Sequence, residues 1–449
     1  MSIGEKGKTR GKGGERVKSN STVMALGVAS LGWLLALTGC GPDSGGGPAV
    51  SIAPPPPPLT GSCTPSSSLS VLISGKNVTS YVPKGNWGSS TTGISLVQVE
   101  GSGTSPTVIP TTSAVNSCAS NPKTGQTVCV ANDTDVYLLN GSTLAPTLTS
   151  GGSDSIGFSG GDCTNCGVSM DAVDNLALIG LSVGGDGGFQ FLNLTGTPAF
   201  GAAFPSQSSE HLISEDAVVD PVRKLILSAN EGGDYEIIKD GTSNTPLFFE
   251  NQTSGGELDS SAEDCQTGIA LASIEETGNL YLADLEHATF TSGSPSGTWT
   301  APSQIQHFPE FAGFSAGTCG IAIAQGTHIG VVTGEFGGNL FGAIQLPPSP
   351  SKSTPGVTDW IACNVPHDPS MAVWEQGDDP HTVTAYKSPN SGDAIALLAN
   401  GSGFPPTFLA VVDLTKLLNP AVVARTGAHV CDPTVDLVTA GVVSFVPVP

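Results

Sequence analysis

Two sets of residues in this chain could do chemistry: ten cysteines, and a group of carboxylates in its middle third. Thiolates that converge on one point hold zinc or copper, whereas paired thiols close disulfides. Cys163-Thr-Asn-Cys166 has CxxC spacing, but with no second pair and no βαβ context it reads as the closure of a small loop. Glu215, Asp216, Glu263 and Asp264, with Glu210 and His211 close by, are oxygen donors of the kind that calcium takes six to eight at a time. A solvated acidic loop is the commoner use of such a cluster. Pro366-His367-Asp368-Pro369 offers a general base with no Ser or Cys nucleophile tied to it. Gly184-Gly-Asp-Gly-Gly188 has no helix after it and reads as a hairpin loop, not a phosphate cradle. His328 lies in an apolar stretch, where a satisfied structural role is expected.

The elements that must position these residues repeat along the chain. The unit is a short strand, a turn, a second apolar strand and a third. It starts at Cys118, Cys166, Asp216, Cys265, Cys319 and His381, and in weaker form at Cys431. Successive starts lie 48, 50, 49, 54, 62 and 50 residues apart, which is one four-stranded sheet per step with loops of variable length. No stretch has sustained helical periodicity. Third strands follow as in Gly188–Leu194, Asn279–Leu285 and Phe408–Leu414. A sheet of this kind is apolar on both faces and cannot stand alone. Packing such sheets radially buries both faces and leaves only short edges, so the expected fold is an all-β propeller, with seven blades of four antiparallel strands the best count and six or eight the alternatives. Strands at Val78–Pro83 and Gly93–Glu100 lack inner partners while the last repeat lacks outer ones, so strands from both chain ends are expected to join and close the ring.

This frame places the cysteines. Cys118 and Cys129 face each other across one hairpin, Cys163 and Cys166 close a loop, Cys63 and Cys431 would lock the ring, and Cys319 with Cys363 is the remaining pairing. The count without Cys40 is odd, so one thiol is left over. A second reading has Cys118, Cys166, Cys265, Cys319 and Cys431 in one column at the start of the innermost strand, a thiolate cluster for zinc or copper, with Asp216 and His381 in the same column.

The turns at Asn121-Pro122, Asp220-Pro221 and Ser388-Pro389, with Ala-Asn closing the second strand at Asn132, Asn230 and Asn400, resemble the YVTN and NHL families of propellers over most of residues 63–449. No single activity follows from that resemblance, since propellers host hydrolases, oxidoreductases and binding platforms. If Glu215, Asp216, Glu263 and Asp264 met at the channel mouth, the arrangement would be similar to calcium-dependent lactonase and gluconolactonase propellers, where the metal polarises a carbonyl and a carboxylate activates water. Calcium is the one cofactor that this resemblance implies.

The N-terminus supplies an address. Lys6, Lys8, Arg10, Lys12, Arg16 and Lys18 precede the uncharged apolar run Val23–Leu37, the layout of a secretory signal. Fifteen helical residues rise about 22 Å, short of a bilayer core of roughly 30 Å. The run ends in Leu37-Thr38-Gly39-Cys40, which resembles the lipobox of bacterial lipoproteins. By that resemblance residues 1–39 are a signal peptide and Cys40 becomes the lipidated N-terminus. Gly41 after it, where Asp would resemble an inner-membrane retention signal, points to the outer membrane. Residues 40–62, with Gly45–Gly47 and Pro54–Pro58, form a tether, and 63–449 the propeller domain.

Composition narrows the function. The net charge is −23, and removal of residues 1–39 leaves 10 basic against 37 acidic side chains, near −27. A chain so acidic cannot replace the counterions of a nucleic acid. The sequence therefore reads as a monomeric, lipid-anchored envelope propeller that binds or scaffolds an envelope protein or glycan. The alternative is a calcium-dependent lactonase or esterase.

Overall fold

Alternation of apolar residues along each strand decides the architecture. Leu176 and Leu178 pack against Phe189, Phe191, Ala217 and Val219, while their neighbours Ala177 and Ile179 pack against Val128, Val130 and Val168 on the opposite face. Successive side chains leave opposite faces of a strand, so such a sheet needs a partner on each side. Each Leu, Ile or Val fully buried in this way contributes roughly 1.5–3 kcal/mol.

The computed structural model describes residues 70–449 except 86–89, 103–105, 132–134, 145–147, 150–166, 184–185, 206–213, 231–233, 240–245, 251–257, 275–276, 288–289, 292–297, 300–302, 308–317, 335–339, 349–355, 365–382 and 400–406. Its strands form a succession of antiparallel meanders. Sheet A contains β1 (Val71–Ser74), β2 (Asn77–Pro83), β3 (Ile94–Glu100) and β4 (Thr107–Ile109). Sheet B contains β5 (Val115–Asn121), β6 (Gln126–Ala131), β7 (Asp135–Asn140), β8 (Thr143–Leu144) and β9 (Leu148–Thr149). Sheet C contains β10 (Val168–Asp171), β11 (Leu176–Val183), β12 (Asp186–Asn193) and β13 (Ala199–Pro205), and sheet D β14 (Ser214–Asp220), β15 (Leu225–Asn230), β16 (Asp234–Lys239) and β17 (Pro246–Glu250). In sheet E, β18 (Leu258–Asp264), β19 (Ile269–Ile274) and β20 (Asn279–Asp284) are followed by a separate hairpin, β21 (Phe290–Thr291) with β22 (Thr298–Trp299), before the fourth strand β23 (Ser303–His307). Sheet F begins with β24 (Thr318–Ala324), β25 (Ile329–Gly334), β26 (Leu340–Gln345) and β27 (Asp359–Asn364). Sheet G contains β28 (Val383–Lys387), β29 (Ala394–Ala399) and β30 (Phe408–Asp413).

The chain then leaves sheet G through a one-turn helix α1 (Leu414–Leu418), capped by the Asp413 carboxylate, which accepts from Lys416 N at 2.9 Å. Leu414 and Leu417 are buried between sheets F and G. Two short strands, β31 (Arg425–Thr426) and β32 (Val430–Cys431), lie along the outside of β27, which would otherwise present an unpaired edge. The chain returns to sheet G as its outermost strand, β33 (Val443–Pro447). Among the described residues no helix is long and apolar enough to cross a membrane.

The first strands β5, β10, β14, β18, β24 and β28 contact one another in succession, so they stand innermost, with later strands stepping outward. One apolar cluster fills each junction: A with B, B with C, C with D, D with E, E with F, F with G, and G with A. The fold is an all-β propeller. The last junction closes the ring, packing Val71, Val78, Val82 and Val97 of sheet A against Tyr386, Ile395, Leu397 and Leu409 of sheet G. Polar contacts seal it. The Glu100 carboxylate accepts from Tyr386 Oη, Ser388 Oγ and Asn390 Nδ2, each at 2.8 Å, and Pro449 O accepts from Lys84 Nζ at 2.6 Å and Ser95 Oγ at 2.9 Å.

Closure therefore differs from the expected mixed sheet. Sheet A finds its inner strand in β1 and its outer strand in β4, both next to it in sequence, and sheet G takes its fourth strand from the C-terminal segment. Cys431, expected to start a seventh repeat, lies instead in β32 on the outer edge of sheet F.

Candidate functional site

Six of the sheets enter their first hairpin through the same local chemistry. The residue before the turn is Asn121, Asp171, Asp220, Asp264, Ala324 or Ser388, and in five of the six its side-chain oxygen accepts backbone N–H groups from the turn. Asp171 Oδ1 takes Val173 N at 2.7 Å and Asp174 N at 3.2 Å, and Asp220 Oδ1 takes Val222 N at 2.9 Å and Arg223 N at 2.8 Å. Such side chains mimic a backbone turn, which is why Asn, Asp and Ser recur there. Each turn ends in the left-handed region, at Gly125 (φ 73°), Asn175 (56°), Lys224 (58°), Gly268 (72°), His328 (58°) and Gly392 (83°).

These turns ring one face of the propeller and bond to their neighbours. Asn121 Nδ2 of sheet B donates to Asn175 Oδ1 of sheet C at 2.6 Å. Asp264 Oδ2 of sheet E lies 2.7 Å from His328 Nδ1 of sheet F. Cys265 N donates to Gln325 Oε1 at 3.2 Å, and Lys387 Nζ of sheet G reaches Gly326 O at 3.4 Å. His328 is thus a satisfied structural residue, as expected, though it sits in a turn and not in a strand.

Charge concentrates where sheets D and E meet. Arg223 Nη1 is 3.0 Å from Asp220 Oδ2, 3.1 Å from Cys265 O and 3.8 Å from Glu263 Oε1, while Nη2 pairs with Glu286. The guanidinium lies over Gly268, where a Cβ would come within 2.5 Å of it, so this turn needs glycine for space as well as for φ. Glu263 is 2% exposed, and neither of its oxygens has a hydrogen-bond partner of normal geometry. Burial and then the charge of Asp220 push its carboxyl well above the usual carboxylate range, partly opposed by Arg223. Asp171, wholly buried in sheet C with Oδ2 unpartnered, is pushed up to about 6, chiefly by burial.

The arrangement does not fit the expected calcium site. Asp220, not Asp216, is the sheet D counterpart of Asp264, because both immediately precede the turn. Glu215 and Asp216 lie on β14 four to five residues earlier, about 13 Å or more back along the strand. Their side chains are outside the described set, as are Glu210 and His211 altogether. Asp264 is taken up by its own turn and His328. Asp220, Glu263 and Cys265 do bring an oxygen, an oxygen and a sulfur within 4.8 Å of one another. Cys265 is disulfide-bonded, however, so it offers no thiolate, and Arg223 already supplies the cation. Two carboxylates around a guanidinium fall far short of the six oxygens that calcium needs.

The cysteine column also dissolves. Cys118 is in mid-strand on β5, Cys265 is in the turn after β18, and Cys431 is on an outer edge, so these three cannot share a channel mouth. Cys118 and Cys129 are directly opposite in register and bridged, with Cα atoms 4.1 Å apart. Cys431 pairs with Cys363, in place of the expected Cys63–Cys431 and Cys319–Cys363 bridges, because β32 runs beside β27. Cys265, which the four expected pairings leave out, is also in a disulfide. Cys63, Cys163, Cys166, His381 and the segment Pro366–Pro369 lie outside the described residues, as do the Cys319 side chain and Gly184–Gly185. Val183 and Asp186 on either side of those two glycines pair directly, as a hairpin loop requires.

No family model matches the chain, and no curated protein sequence matches it. Among solved structures, the β-propeller domain of Cps50 (Swd1) from Myceliophteria thermophila is similar at 9% identity and a TM-score of 0.46, over 77% of this chain and 96% of that one. The fold rests on the sheets and their junctions, and its activity must be argued from the residues.

Proposed function

We propose that this chain is an exported lipoprotein, anchored through Cys40 in the outer membrane, whose seven-bladed YVTN/NHL-like propeller binds or scaffolds an envelope protein or glycan. The observation that carries the binding reading is the use made of the turn rim. Polar side chains there lock sheets together, as Asn121 to Asn175 and Asp264 to His328, which makes a stiff ring. Stiff scaffolds recognise partners through the loops they hold.

The inner strands end at the turn rim, so the connections between sheets enter at the opposite face. Those connections vary in length, from five residues between Ile109 and Val115 to eighteen between Asn364 and Val383. That face is the proposed recognition surface. The count of seven blades is supported by the sheets A to G and by the apolar cluster at every junction. The charge near −27 of the processed chain favours a neutral or basic partner and disfavours nucleic acid. An acyl anchor holds regardless of that charge, at roughly 0.8 kcal/mol per buried methylene.

The test is expression of the parent and Cys40→Ala in a Gram-negative host, with membrane fractionation and mass analysis of the N-terminal peptide, followed by cross-linking in intact envelopes from residues 366–381. The expected result is a diacylglyceryl-modified Cys40, loss of membrane association in C40A, and a discrete cross-linked partner. An unmodified, soluble parent would overturn the anchor, and the absence of any discrete partner the binding reading.

A further inference from the structure

We infer that the Cys363–Cys431 disulfide is a site of thiol–disulfide exchange, open to a neutral or cationic dithiol and guarded against anionic ones. The described disulfides differ in access. Cys118 and Cys129 are 2% and 0% exposed, and Cys265 is 1% exposed. Cys363 is likewise buried at 2%, but Cys431 is partly exposed, and both sulfur-bearing residues line a cleft of about 210 Å³ on the outer side of sheet F. Exchange requires a thiolate to approach one sulfur in line, so access selects which bridge reacts. Among the described cysteines, Cys431 is the one that is not buried.

The cleft also has a charge. Leu340 and Leu437 contribute apolar walls, and among the described residues the two ionisable side chains lining it apart from the cysteines are Asp432 and Asp436. Thr434 holds the Asp432 carboxyl below its ordinary range through side-chain and backbone hydrogen bonds, and Thr439 does the same for Asp436, so both are anionic throughout the neutral range. An attacking thiolate that carries a second negative group is repelled, and one that carries an ammonium is drawn in.

The chemistry balances in two steps. A thiolate of the dithiol attacks Cys431 Sγ, forms a mixed disulfide, and expels Cys363 Sγ, which takes a proton from solvent. The second thiol of the reductant then attacks the mixed disulfide and releases the Cys431 thiol. The dithiol loses two electrons and becomes a disulfide, while the Cys363–Cys431 bridge gains them. Once reduced, the β31–β32 segment stays on β27 through Arg425, whose two terminal nitrogens each lie 2.9 Å from an Asp359 oxygen, and through the stacking of His429 on Trp360. Reduction is therefore expected to loosen this segment without opening the ring.

The experiment treats the folded full chain at pH 8 and low ionic strength with cysteamine or with mercaptoethanesulfonate, each rate referenced to a small uncharged disulfide. Released thiols are alkylated and mapped by peptide mass. Cys363 and Cys431 should label first, with a cysteamine adduct trapped on Cys431 and cysteamine faster by on the order of tenfold. That ratio should fall toward one in 0.5 M salt and in D432N/D436N, in which the Asn side chains keep the turn-forming oxygens. Labelling of Cys118, Cys129 and Cys265 in step with Cys363 and Cys431 would overturn the assignment of access. A charge ratio indifferent to salt and to the double variant would overturn the guarding role of the aspartates.

Discussion

Replacing Asp171 by Asn should stabilise the protein at alkaline pH and cost it about 1 kcal/mol in acid. Asp171 ends the innermost strand of sheet C, is wholly buried, and uses Oδ1 for two turn N–H groups while Oδ2 has no partner. Its carboxyl is raised from 3.8 to about 6. A raised folded-state value means that the folded chain favours the protonated form. Stability from this group is therefore greatest below about pH 4 and declines as pH rises through 6. A shift of about two units at 1.36 kcal/mol each puts the loss at about 3 kcal/mol by pH 8. Asparagine keeps the accepting oxygen and cannot ionise, and Asn121 already fills the equivalent place in sheet B. An amide group without a full set of partners costs about 1 kcal/mol in return, leaving a net gain of about 2 kcal/mol at pH 8. Urea unfolding followed by tryptophan fluorescence at pH 4 and pH 8 measures it. A D171N variant equally or less stable than the parent at pH 8, or a difference that does not change with pH, would refute the reasoning.

Three further outcomes follow from the junctions. Glu263→Gln should stabilise the protein more at high pH than at low pH, because burial and Asp220 raise the carboxyl above its ordinary range and the parent loses stability as that group ionises; urea titrations at pH 5 and pH 9 check this. Glu100→Ala removes the acceptor for Tyr386, Ser388 and Asn390 and should cost about 2–3 kcal/mol, with faster amide exchange in sheets A and G while sheets C and D hold their protection. Calcium added after EDTA should leave the unfolding temperature unchanged, since Arg223 occupies the space between Asp220 and Glu263; a bound ion at 100 times its Kd would instead add about 2.7 kcal/mol.

The repeating hairpins were legible in the sequence because proline and Asn, Asp or Ser mark a turn by local chemistry that needs no distant partner. Asn121-Pro122, Asp220-Pro221 and Ser388-Pro389 all open turns. Aligning Cys265 with Cys118 misplaces the register of the fourth repeat, since the equivalent feature is the turn-capping oxygen of Asp264 and Asn121. Reading that oxygen places Asp220, just before Pro221, in register with Asp264 and withdraws the Asp216–Glu263 pairing. Arg223 gave no signal, since one arginine in a turn acquires its role only when the neighbouring sheet arrives. The Cys118–Cys129 bridge followed from hairpin register. Cys363–Cys431 did not, because it depends on a segment that leaves sheet G and lies along sheet F, a choice made by Leu414 and Leu417 in the core and by the Arg425–Asp359 pair.

The account turns on a closed ring in which the first and last sheets meet. A benzoylphenylalanine at Lys76, whose backbone oxygen accepts from Asn390 Nδ2 at 2.9 Å, probes that junction directly across 314 residues of chain. Photolysis of the full chain and peptide mapping should yield cross-links to residues 388–393. Cross-links confined to sheets A and B, with none to sheet G, would contradict the closed propeller.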